Sequence, residues 1–96
     1  MGRGGPLTRT LAEVLATYRP ESDGGRKGET WIEHAQFLWA EDSGYMARMV
    51  AHMFHAGAWW GPPLVVDGEV VQDGHHRVVA AAGLGWFDLD VPVVPA

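Results

Sequence analysis

The apolar positions of the chain fall into segments of two different periods. Leu11, Val14, Leu15 and Tyr18 recur at the spacing of one helical face. Thr10 and Glu13 ahead of them form a capping box, and Pro20 closes the segment, so a helix is predicted over Leu11 to Tyr18. Tyr45, Met46, Met49, Val50, Met53 and Phe54 form a second, broader face opposite Arg48, His52 and His55. Glu41 to Gly44 reads as its turn and N-cap, Gly57 as its end, and the predicted helix runs from Tyr45 to His55. Val65-Val66 and Val70-Val71 flank Asp67-Gly68, a strong hairpin signal that predicts strands over Leu64 to Val66 and Val70 to Gln72. The small-residue run after Arg77 predicts a helix from His76 to Ala82, punctuated by Gly83 and Gly85 and capped by Trp86 and Phe87. Leu89 to Val94 predicts a closing strand.

Two stretches carry no such regularity. Met1 to Leu7 is Gly-rich and is expected to be frayed. Glu21 to Glu29 is polar, with Gly24, Gly25 and Gly28, and is expected to be a flexible loop. Its Gly-Gly-Arg-Lys-Gly lacks the spacing, the hydroxyl and the leading strand of a P-loop. Thr30 to Trp39 is ambiguous. Trp31, Ala35, Leu38 and Trp39 share a helical face that Phe37 does not join.

Asp73-Gly74-His75-His76-Arg77 is the densest chemistry in the chain, placed where a strand gives way to a helix N-terminus. The N–H groups and dipole of such an end favour an anion. Gly74 lets the backbone approach it, Arg77 can fork onto phosphate oxygens, and His75 and His76 can donate from a ring nitrogen. A plain reading competes, in which the stretch is a polar turn with Asp73 capping the helix. His52 and His55, even with His34, lack the ligand spacing of a zinc site, so no zinc is expected. Trp59 and Trp60 are candidates to stack a base, although two Trp beside Pro62-Pro63 more often shield a core edge or meet a partner.

These residues resemble the ParB N-terminal/sulfiredoxin superfamily, whose members carry a Gly-x-x-Arg signature between a strand and a helix. Asp73 to Arg77 matches the form seen in free serine kinases and small ParB-like proteins. Val78 to Ala81, Val91-Pro92-Val93 and Pro62 to Val66 extend the likeness over roughly Tyr45 to Val94. The resemblance implies an α/β (α+β) domain spanning 1–96, a small mixed sheet packed by about three helices. It implies phosphate or nucleotide binding at Gly74, His75, His76 and Arg77, with a nucleoside triphosphate and Mg²⁺ as the expected cofactor. By the same analogy Trp31 to His34 is a strand and Gln36 lies near the site, so Gln36, Trp59 and Trp60 are candidate pocket walls. Asp73 is the candidate catalytic carboxylate, with Glu33, Asp42 and Asp67 candidates by composition only, and whether the chain is an enzyme stays open. Sulfiredoxin chemistry is excluded, since His75 stands where that family has its reactive Cys. A partition-type clamp is not expected, because no helix-turn-helix follows the closing strand.

Composition narrows the partners. A formal net charge of −5 argues against non-specific DNA binding but not against one bound phosphate. No apolar run approaches the roughly 20 residues of a membrane span. The absence of Cys rules out disulfides and thiol chemistry but says little about compartment; with no signal-peptide pattern, a cytoplasmic setting is expected. Three functions stay open. They are a nucleotide- or phosphate-binding module, a non-catalytic protein-interaction module of phage or mobile-element type, and a small phosphotransferase or nucleotide hydrolase.

Overall fold

In the computed structural model, residues 7–21 and 29–96 are described. Their order is β1 (Leu7–Thr10), α1 (Leu11–Thr17), β2 (Arg19–Pro20), α2 (Trp31–Glu41), α3 (Ser43–Ala56), β3 (Leu64–Asp67), β4 (Val70–Asp73), α4 (His75–Gly83) and β5 (Asp90–Pro95). The class is mixed α+β, with four helices among the described residues against the three expected. The strands form one mixed sheet in the order β1-β5-β3-β4-β2. The β1–β5 and β3–β4 pairs are antiparallel, while β3–β5 and β2–β4 are parallel.

The hairpin forms where the Asp-Gly signal put it. Asp67 and Val70 are paired, so Gly68 and Glu69 are the turn, with Gly68 at φ +60°. Glycine at the first turn position with positive φ matches the twist of the flanking strands. Alternation along the sheet buries Leu64 and Val66 of β3, Val71 of β4, and Val91 and Val93 of β5 against α1 and α4.

Helix α4 is the centre of the packing. Val78 and Ala81 join the core with Leu11, Val14 and Tyr18 of α1 and the sheet. Val79 and Ala80 face the other way, onto Leu38 of α2 and Met46 and Met49 of α3. A helix buried on two sides needs small side chains to let its neighbours approach, which accounts for the alanine run. Its C-terminus closes as a Schellman motif: Gly85, at φ +75°, donates to Ala82 O and Trp86 donates to Ala81 O.

Three expectations are corrected. Thr30 to Trp39 holds no strand; Trp31 opens α2, whose N-terminus is a second capping box between Thr30 and Glu33. Leu7 is not frayed but begins β1, paired with Val93. Glu29, expected in a flexible loop, is buried. The Gly24 to Gly28 run lies outside the described residues, as does Met1 to Pro6. Among the described residues no helix is long and apolar enough to cross a membrane.

Candidate functional site

Strand β4 ends at Asp73, Gly74 turns the chain at φ +107°, and α4 begins at His75. The motif therefore sits at a strand–helix junction. Gly74 is the N-cap residue and no side chain caps the helix, so Asp73 does not serve as the cap. The first in-helix bond runs from Val78 N–H to Gly74 O. Among the described residues the His76 and Arg77 N–H groups have no acceptor, as helix geometry dictates for a first turn.

The three side chains after Gly74 leave the helix in different directions. His75 turns toward α2 and β2. Its Nε2 accepts from Glu21 N–H at 3.1 Å, and its ring lies 5.0 Å from that of His34 and 6.2 Å from Trp31. His76 turns toward α3. Its Nε2 is 3.3 Å from Asp42 Oδ2, and Tyr45 meets the ring edge-on at 4.7 Å. Arg77 folds back over the turn, passing between Gly61 and Gly74. A Cβ at Gly61 would lie 2.5 Å from its Nε, and a Cβ at Gly74 would lie 3.6 Å from a terminal guanidinium nitrogen. The Arg77 Nε is buried with no hydrogen-bond partner.

Asp73, Gly74, His76 and Arg77, with Tyr45 and Met49 of α3, line a recess of about 40 Å³. Small-molecule pockets run to about 300–1,000 Å³. The recess thus fits a phosphate-sized group, and a nucleoside attached to it would lie outside on the surface. An orphaned guanidinium N–H and a glycine turn without a Cβ suit phosphate oxygens. For Mg²⁺ the recess offers the Asp73 carboxylate, and a metal carried by a polyphosphate needs only one or two protein carboxylates. Among the described residues no cluster of three or more His, Asp or Glu is arranged around a common point.

The outer candidates stand elsewhere. Gln36 is exposed on α2, and it is His34, two residues earlier, that faces His75. Trp59 donates to Pro62 O at 2.9 Å and packs against the core; Trp60 stacks on His52 with centroids 4.3 Å apart. Neither Trp lines the recess. His52 and His55 are exposed.

Several participants carry no signal of their own in the sequence. Tyr45 and Met49 read as helix core, and Asp42 stood out only as a carboxylate. Gly61, which makes room for Arg77, sits in an unremarkable Trp-Gly-Pro linker. Glu29 and His34 form a buried pair, Nδ1 to Oε1 at 2.8 Å, leaving His34 Nε2 without a partner. No known protein family, curated protein or solved structure matches the chain.

Proposed function

We propose that the Gly74 to Arg77 junction binds a phosphate-bearing ligand, a cytoplasmic nucleotide or another phosphorylated small molecule, in a ParB-like domain. The observation that carries this reading is the Arg77 guanidinium, held across Gly74 with a buried and unpartnered Nε beside the open first turn of α4. A buried N–H without an acceptor is unfavourable by about 1–3 kcal/mol, more when charged; the terminal guanidinium nitrogen beside Gly74 is the group assigned to an anion in the recess. His76 and Arg77 act as the binding group, through their backbone N–H groups, the His76 ring and the guanidinium. Asp73, lining the same recess, is the group available to hold Mg²⁺ or orient an attacking hydroxyl, which is what a phosphotransferase or hydrolase would need.

Isothermal titration of the full chain with pyrophosphate, ATP, CTP and GTP tests the proposal. Saturable heat with at least one of them is expected, and failure of all four against folded protein overturns it. Thermal shift with and without Mg²⁺ then sorts the alternatives: a shift with turnover marks an enzyme, a shift without turnover a binding module. A protein-interaction role is the second reading. It is favoured by Ile32 and Phe54, 72% and 62% exposed on α2 and α3.

A further inference from the structure

The end of α4 opposite the motif borders a second cavity, of about 490 Å³, lined by Gly57, Gly85, Trp86, Phe87, Asp88 and Leu89. Its volume lies within the range that small ligands occupy. Two helices end on it: α3, whose C-cap is Gly57, and α4, whose Schellman turn contains Gly85. Each helix C-terminus presents the negative end of its dipole, equivalent to about half an electron charge. Asp88 adds a full negative charge, is exposed, and has no partner among the described residues. Among the described residues no basic side chain lines the cavity.

The remaining wall is Trp86, Phe87 and Leu89. Phe87 is 48% exposed, on a turn where a polar residue would ordinarily stand, and Trp86 is half-buried beside it. The turn that carries them is fixed at both ends. Trp86 N–H donates to Ala81 O, Leu89 N–H to Trp86 O, and the carbonyls of Phe87 and Leu89 accept from the first N–H groups of α1. Aromatic faces attract cations through the ring quadrupole, and nearby negative charge adds to the attraction.

We propose that this cavity binds an organic cation of the alkylammonium class, with the head group against Trp86 and Phe87 and its charge offset by Asp88 and the two helix ends. The site is separate from the phosphate site and does not depend on it.

The test is an NMR titration of the full chain at about pH 8, where an ordinary imidazole is neutral, following the Trp86 indole N–H. That resonance is assigned by its loss in Trp86→Phe. Choline is the probe, and 3,3-dimethylbutanol, its neutral isostere, is the control. Saturable choline binding at about tenfold higher affinity than the isostere is expected, the discrimination a cation–π contact supplies. Asp88→Asn and Phe87→Leu, both at exposed positions that leave the core intact, should each weaken choline by roughly threefold. An acetylated trimethyl-lysine amide run in parallel identifies the source: tighter binding than choline points to a peptide side chain, weaker to a free head group. Equal binding of choline and isostere, or no saturable shift of the Trp86 resonance, overturns the proposal.

Discussion

The Arg77 guanidinium crosses Gly61 so closely that a Cβ there would lie 2.5 Å from Nε. Gly61 is also at φ +102°, a conformation that L side chains rarely adopt. Gly61→Ala therefore has two effects, backbone strain of about 1–3 kcal/mol and displacement of Arg77 from its path. Only the second touches the ligand. Denaturant unfolding reads the first and titration with pyrophosphate reads the second. Unaltered affinity in a folded Gly61→Ala would mean that the position of Arg77 is irrelevant to binding.

Arg77 itself separates charge from shape. Arg77→Ala removes a charge-assisted contact and should reduce pyrophosphate affinity by about 1.5–3 kcal/mol. Arg77→Lys should recover only part of this, because an ammonium cannot reproduce the planar fork. Full recovery with Lys would show that the site reads charge alone. The protein's stability should fall little in the alanine variant, since truncation also removes a buried N–H that has no partner.

Gly74 answers to the core as well as to the ligand. A Cβ there would come within 2.7 Å of Leu64 Cδ1, and Leu64 is fully buried. With φ at +107° the added strain and overpacking should destabilise Gly74→Ala by roughly 2–5 kcal/mol. Equilibrium unfolding in urea checks this; a loss below 1 kcal/mol would mean that the turn relaxes freely.

The motif was legible because glycine and arginine at a strand–helix junction are a local signal, carried by neighbours in sequence. What surrounds it was not. Tyr45, Asp42 and Gly61 reach the site only through tertiary packing, so their spacing says nothing of it. Strand β1 was missed for a related reason. Leu7 to Thr10 is short, polar at three of its four positions and preceded by glycines, and its pairing partner is β5 at the far end of the chain. Helix α2 was a different case, since Thr30-x-x-Glu33 is the same capping signature as Thr10-x-x-Glu13. Phe37 disturbed the apolar face, yet a surface helix tolerates an outward aromatic, and Phe37 is 39% exposed.

The second capping box is itself testable. Thr30 Oγ1 accepts from Glu33 N–H at 3.1 Å, and Glu33 Oε1 accepts from Thr30 N–H at 2.9 Å. Thr30→Ala should destabilise the fold by about 1 kcal/mol. Because α2 carries His34 against His75, the variant should also loosen the N-terminus of α4, seen as faster amide exchange there. Protection unchanged at α4 would show the two helices to be independent.

The first capping box gives a pH dependence with a definite sign. Glu13 is held below the usual carboxylate range, chiefly because its carboxylate accepts from Thr10 N–H at 2.7 Å, with the Thr10 side chain and the nearby Arg9 charge as smaller causes. A carboxyl group whose pKa is depressed by folding contributes stability above its unfolded pKa and loses it as pH falls through the native one. Glu13→Gln keeps a hydrogen-bond acceptor at the same place and removes only the charge. The wild type should then be the more stable of the two at neutral pH, by an amount constant down to the upper edge of the carboxylate range. Below that edge the advantage should shrink, and it should vanish once the native carboxyl is protonated. Thermal unfolding of both chains across the acid range measures the difference. If that difference widens on acidification, the Thr10–Glu13 hydrogen bond does not favour the charged form, and the capping box works through geometry alone.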